Sequence, residues 1–157
     1  MIQVGDTLPD AELHEGTPGQ KVSAASFFAG KRAILFGVPG AFTPGCNRTH
    51  LPGYVSDAEA FHAKGISEIV CVAVNDAFVM AAWGEAQGAE GKVRMMADPA
   101  GTFTKALGLE VNAPALGGLR SKRYAMIVDN GVVTHLELEP DGFGLSCSLS
   151  SSMIDRA

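Results

Sequence analysis

Three cysteines, Cys46, Cys71 and Cys147, are the residues of this chain best suited to redox or nucleophilic chemistry, and their surroundings differ. Cys46 ends the string Val38-Pro39-Gly40-Ala41-Phe42-Thr43-Pro44-Gly45-Cys46, which directly follows an apolar run. Proline suits the first turn of a helix and disrupts its interior, so Pro44 predicts a helix opening here with the thiol in or near its first turn. Free N–H groups and the positive end of the helix dipole stabilise a thiolate at such a place, where cysteine pKa values fall to roughly 3.5–7.5 from about 8.5. The thiolate is the nucleophilic form. The competing reading is a small buried hydrophobe, the ordinary fate of a lone cysteine.

Thr43 stands where a dithiol oxidoreductase would carry the first cysteine of C-x-x-C, so no local disulfide can form. His50 follows Cys46 by four residues and would share its face on a helix, which raises a Cys–His hydrolase arrangement. Nothing else in the chain fits that chemistry. Cys71 lies within Ile69-Val70-Cys71-Val72-Ala73-Val74, the setting of a packing residue. Cys147 lies between a glycine-rich loop and a serine cluster from Ser146 to Ser152, which predicts exposure and mobility. Both would be needed to bring it to another cysteine, since a disulfide requires Cα atoms within about 4.4–6.8 Å. Arg123 beside Lys122 reads locally as a solvated strand end. The four histidines and three cysteines show no metal-ligand spacing, and no glycine-rich phosphate loop is present, so the reading includes no metal and no cofactor beyond the thiol.

The elements that would position these residues are legible in the hydrophobic pattern. Ala33 to Val38 and Ile69 to Val74 are continuous apolar runs, as in strands buried on both faces. Thr43 to Lys64 has helical composition between them, with a kink expected at Pro52-Gly53 and an end at Gly65. This is a βαβ unit. Asp76 is placed to cap a helix running through Trp83 to Ala86, and Ser23 a short one ending at Gly30. Glu15 to Gln20, rich in glycine and proline, reads as a turn. After Val93 to Met96 and a short helix from Phe103 to Leu107, Tyr124–Asp129 and Val132–Leu138 flank Asn130-Gly131, the signal of a type I′ hairpin. A βαβ unit, a ββ hairpin and a terminal helix, in that order, predict an α/β chain with a thioredoxin-like fold, a central mixed β-sheet flanked by helices.

With 157 residues, no repeat and no linker, the chain reads as a single domain, 1–157. It carries 12 basic against 17 acidic residues, a net charge of −5, with no basic stripe, which argues against nucleic acid as a partner. No apolar run approaches the ~20 residues of a membrane span. The first residues show no secretory or organelle leader and the last three are not a peroxisomal signal, which points to an intracellular protein, cytoplasmic or a processed mitochondrial form.

The string from Gly37 to Cys46, followed by Thr49-His50-Leu51-Pro52-Gly53, resembles the active-site signature of peroxiredoxins of the type-five and plant type-II group. The resemblance continues through Val74 to Val79, Ala97-Asp98-Pro99, Lys122-Arg123-Tyr124 and Glu139 to Leu149, covering nearly the whole chain. It implies a thiol peroxidase acting on hydrogen peroxide, alkyl hydroperoxides and peroxynitrite, with a part in antioxidant defence and redox homeostasis. By this resemblance Cys46 is the peroxidatic cysteine, oxidised to a sulfenic acid. Thr43 bonds peroxide and sulfur, Pro39 shields the pocket, Arg123 stabilises the negative charge, and Gly45 and His50 support the site. Cys147 matches the resolving cysteine of the animal type-five branch, which forms an intramolecular disulfide. Cys71 is the alternative, as in plant type-II relatives. Thioredoxin is the implied reductant, with glutaredoxin or glutathione the alternative, and a non-covalent homodimer the implied assembly. A non-catalytic thioredoxin-fold redox sensor or binding module is the competing functional reading.

Overall fold

The computed structural model describes residues 1–157, built around a seven-stranded mixed sheet. In chain order the elements are β1 (Glu12–Glu15), β2 (Thr17–Ser23), α1 (Ala24–Phe28) and β3 (Arg32–Gly37), then a π-helical turn (Cys46–His50) that runs into α2 (Leu51–Ala63). They continue with β4 (Glu68–Ala73), α3 (Ala77–Ala86), β5 (Arg94–Ala97), α4 (Thr102–Leu107), β6 (Glu110–Ala113), β7 (Gly118–Ser121), β8 (Tyr124–Asp129), β9 (Val132–Leu138) and α5 (Ser150–Met153). The sheet order is β2-β1-β5-β4-β3-β8-β9, while β6 and β7 form a separate hairpin.

Both apolar runs occupy the middle of the sheet. β3 pairs parallel with β4, Phe36 opposite Cys71, and antiparallel with β8, Gly37 opposite Tyr124. Because side chains alternate along a strand, Ile34 and Phe36 enter the layer under α2 and α3, and Ala33 and Leu35 the layer under α1 and α4. Each face is covered, so neither run alternates in polarity. Each large apolar side chain fully buried there contributes roughly 1.5–3 kcal/mol. Gly37 is needed for close approach, since a Cβ there would collide with the Tyr124 ring across the sheet.

The caps and turns follow the sequence closely. Ser23 caps α1 through a bond from Ser26 N, and Asp76 Oδ1 caps α3 by accepting from Val79 N at 2.8 Å. Asn130 (φ 50°) and Gly131 (φ 79°) both adopt the left-handed conformation a type I′ turn requires. Asn130 Oδ1 also accepts from Gly30 N at 2.7 Å, tying the hairpin to the turn after α1.

Three expectations need correction. The chain reverses at Gly16 (φ 84°), but Thr17 to Ser23 is strand, not turn. Pro18 and Gly19 are tolerated because β2 is the outer strand, where one row of N–H positions needs no partner. The irregularity expected at Pro52-Gly53 falls just before it, as a wide turn in which Leu51 N donates to Cys46 O. Pro52 lacks an N–H and its ring crowds the carbonyl of Arg48, so the preceding turn widens to accommodate it. The terminal helix is a single turn, and the β6–β7 hairpin carries no strong sequence signal.

Candidate active site

The loop from Val38 to Thr43 leaves the sheet pinned at both ends: Val38 N bonds Val72 O at 3.1 Å, and Ala41 N bonds Asn75 Oδ1 at 3.0 Å. Just past the second pin, Phe42 holds φ at 63°, a strained value for a bulky residue, and keeps half its surface exposed. Helical backbone begins at Pro44, as its ring predicts, so Cys46 lies within the first turn. The π-helical geometry turns Cys46 and His50 inward together, and both are fully buried.

Arg123 precedes β8 and is 4% exposed, so it is not a solvated strand end. Its Nη2 donates to Cys46 Sγ at 3.2 Å, its Nη1 to His50 Nδ1 at 2.9 Å, and its Nε to Phe143 O at 3.3 Å. None of the ion pairs in the structure includes it. A buried cation without a carboxylate partner is costly, and the group facing it is the Cys46 sulfur. The guanidinium is thus in place to stabilise negative charge that develops beside the sulfur during a reaction.

His50 cannot serve as the base of a Cys–His pair. Burial, and then the Arg123 charge, push its pKa from 6.5 to about 3, so the ring is neutral. With Nδ1 accepting from Arg123, the proton sits on Nε2, which faces Ser148 O at 3.2 Å. Neither nitrogen bonds Cys46.

Thr43 Oγ1 donates to Gly40 O at 2.8 Å and makes no bond to the sulfur or to a helical N–H. Its proton is committed, while its lone pairs stay free to accept from an O–H. Pro39 is buried in the same loop. Gly45 is the close-approach position, because a Cβ there would lie 3.1 Å from Leu145 Cδ1 and 3.2 Å from Arg123 Nη2.

Cys71 is fully buried on the same face of the sheet as Cys46, and burial first, then the nearby Cys46, push its thiol well up. Cys147 is half-buried, with Sγ donating to Leu138 O at 3.6 Å. Burial first and then Glu139 raise its pKa. Its neighbours are hydrogen-bonded on both sides. Tyr54, stacked on Phe36, donates to Ser148 O at 2.6 Å, and the carboxylate of Glu139 accepts from both Ser146 and Ser148. Sequence reasoning assigned no role to Tyr54 or Glu139. A glutamate that closes an alternating strand beside a serine pair is a faint sign, since carboxylates are seldom buried without several donors. The largest surface cavity lies elsewhere, between α3 and the β1–β2 turn, where Glu15, Gly84, Glu85 and Met95 line it.

No helix is long and apolar enough to cross a membrane. Comparison with known proteins agrees with the site's chemistry. Residues 3–146 match the Redoxin family model. The chain is 47% identical to Peroxiredoxin-2C of Oryza sativa subsp. japonica over 145 residues, 90% of each chain. Its fold superposes on reduced Prx3 of Vibrio vulnificus in complex with hydrogen peroxide, with a TM-score of 0.94, 49% identity and full coverage of both chains. For peroxiredoxin 5 of Alvinella pompejana the TM-score is 0.86 at 45% identity, again covering both chains fully. With its thioredoxin-like sheet and a thiol buried against an unpaired arginine, the chain belongs to the Redoxin family and, within it, to the peroxiredoxins, the thiol-dependent peroxidases.

Proposed function

We propose that Cys46 is the peroxidatic cysteine, and that the observation carrying this is the buried, carboxylate-free Arg123 guanidinium 3.2 Å from its sulfur. The Cys46 thiolate attacks one oxygen of a hydroperoxide. An S–O bond forms, the O–O bond breaks, and the leaving alkoxide or hydroxide takes a proton to give alcohol or water. Arg123 stabilises the negative charge as it spreads from sulfur to oxygen. Thr43 orients the peroxide by accepting its O–H, Gly45 leaves room for it beside Arg123, and Pro39 keeps water from the pocket. His50, held neutral, is a supporting residue that positions Arg123 without competing for a proton.

Resolution follows through Cys147, whose thiol condenses with the sulfenic acid to form an intramolecular disulfide and water. Cys71 is the alternative resolving cysteine, but it stands in a strand paired on both sides, with Phe36 across one edge and Met95 across the other. A thioredoxin dithiol returns the two electrons, glutaredoxin or glutathione being the other candidates. The substrates are hydrogen peroxide, alkyl hydroperoxides and peroxynitrite. The chain works as one domain within a non-covalent homodimer in an intracellular compartment.

The test is rapid-mixing peroxide consumption by the reduced protein beside Cys46→Ser and Cys147→Ser, with thiols counted after one oxidation. Wild type should lose two thiols, Cys46→Ser should be inactive, and Cys147→Ser should stop at the sulfenic acid. A wild type no faster than free cysteine would overturn the reading and leave a redox sensor or binding module.

A further inference from the structure

We propose that Arg120 is a specificity-determining residue that favours hydroperoxides bearing a carboxylate close to their O–O bond; this rests on the proposed reduction of peroxide at Cys46, with Thr43 orienting it. Arg120 stands in β7 opposite Val111 of β6, so the hairpin outside the main sheet carries its guanidinium to the loop that leads to Cys46. A Cβ on Gly40 would lie 3.0 Å from Arg120 Nη1 and 3.2 Å from Thr43 Cγ2. The arginine and the peroxide-orienting threonine therefore flank one backbone position, and the missing side chain of Gly40 lets the fork come this near.

The guanidinium is held but not neutralised. Nη2 donates to Leu116 O at 2.6 Å, in the turn that joins β6 to β7, and none of the ion pairs in the structure includes Arg120. Nη1 and Nε bond no group of the chain. A half-buried guanidinium fixed at one nitrogen has little rotamer freedom left to lose when its remaining N–H groups meet an anion. Carboxylate is an anion whose planar geometry matches such a fork. Arg123 differs in kind, since its nitrogens are spent on Cys46, His50 and Phe143 O. Arg123 meets charge that develops on the reacting atoms, whereas Arg120 meets charge that the substrate already carries. The chain's net charge of −5 opposes an anionic substrate at a distance, so a cation beside Thr43 matters more for it than for a neutral peroxide.

The chemistry itself is unaltered. Cys46–SH plus the hydroperoxy acid gives Cys46–SOH plus the hydroxy acid: an S–O bond forms, the O–O bond breaks, and the leaving alkoxide takes the proton. The carboxylate stays on Arg120 throughout, so the pairing adds equally to bound substrate and transition state. It is read in the second-order rate constant.

The probes are β-hydroperoxyisovalerate and its methyl ester, which share the reacting group and differ in charge. Oxidation of the reduced protein by each is followed by rapid quench and thiol counting, and each rate is divided by that of the same probe with free cysteine. In the wild type the acid should be favoured over the ester, and rising ionic strength should erode the preference. Arg120→Gln should lower the acid-to-ester ratio by about tenfold, and Arg120→Lys, which keeps the charge without the fork, should lower it less. A general disturbance of the loop slows both probes and cancels in the ratio, so a merely structural arginine would leave the ratio where it was. If the glutamine variant does not fold, a lysine variant with the wild-type ratio, or a wild-type ratio indifferent to salt, overturns the proposal. An unchanged ratio in Arg120→Gln, with Cys46→Ser reducing neither probe, would overturn the role of Arg120 alone. A Cys46→Ser protein that still reduces the probes would instead overturn the assignment of Cys46, and the role of Arg120 with it.

Discussion

The Arg123 guanidinium reaches the Cys46 sulfur with one nitrogen, Nη2 at 3.2 Å, and no carboxylate pairs with its charge. A cation held this way is an electrostatic device already in place when the peroxide arrives, so little reorganisation remains for the transition state. Arg123→Met should lower the second-order rate of peroxide reduction by about a hundredfold or more. Arg123→Lys should recover only part of it, because a single ammonium cannot hold the sulfur, His50 and Phe143 O together. Competition kinetics against a peroxide-reactive reference protein would measure both. An Arg123→Met enzyme of wild-type speed would remove the arginine from the chemistry.

Gly45 tests the same contact from the other side. Its backbone is ordinary right-handed helix (φ −65°), so alanine brings no conformational strain. The added methyl would sit 3.2 Å from Arg123 Nη2 and 3.1 Å from Leu145 Cδ1. Leu145 is the end of a flexible, partly exposed side chain and can yield, whereas Arg123 can yield only by leaving the sulfur. Gly45→Ala should slow Cys46 oxidation by roughly tenfold, about 1.4 kcal/mol in the barrier, while the melting temperature moves little. Equal losses in rate and stability would show that the methyl disturbs packing in general.

Cys71 and Cys147 should separate in the thiol count. Cys71→Ala removes a sulfur from the layer under α2 and α3 and should cost about 1–2 kcal/mol of stability in chemical denaturation. It should still lose two thiols per oxidation, whereas Cys147→Ser should lose one. The reverse pattern would make Cys71 the resolving cysteine.

What the sequence disclosed follows from how local each signal is. The continuous apolar runs of β3 and β4 and the Asn130-Gly131 turn are short-range patterns, and they became strands and a turn almost at the expected residues. Pro44 likewise announced the helix that carries Cys46. Thr17 to Ser23 was hidden because its exposed, proline-containing sequence is acceptable only at an edge, and being an edge is a property of the whole sheet. Arg123 looks like surface locally, and only the hairpin brings it to a thiol far away in the chain. The grip of Glu139 on Ser146 and Ser148 is equally invisible, since hydroxyls near a carboxylate in sequence are normally solvated.

Acid should expose the electrostatics of the site through stability. The folded state holds His50 neutral with a pKa of about 3, against 6.5 ordinarily, so the unfolded chain binds the extra proton below pH 6.5. His50 therefore contributes no penalty above pH 6.5, and stability is lost as the pH falls from 6.5 towards 3, by up to about 1.4 kcal/mol per pH unit. Glu139 acts in the same direction over a lower window. Its charged form is favoured in the fold, with a pKa of about 2 against 4.5, so its contribution is complete above pH 4.5 and is lost as the pH falls towards 2. The two windows overlap between pH 4.5 and 3, where the slope should approach twice the single-proton value. Urea midpoints at pH 7.5, 6, 5 and 4 should thus hold steady at first, decline, and then decline more steeply. A His50→Gln protein should lose the upper part of the decline and keep the lower. A flat midpoint between pH 6 and 5 in the wild type would mean that His50 takes up its proton in place, and the neutral bridge from Arg123 to Ser148 would have to be abandoned.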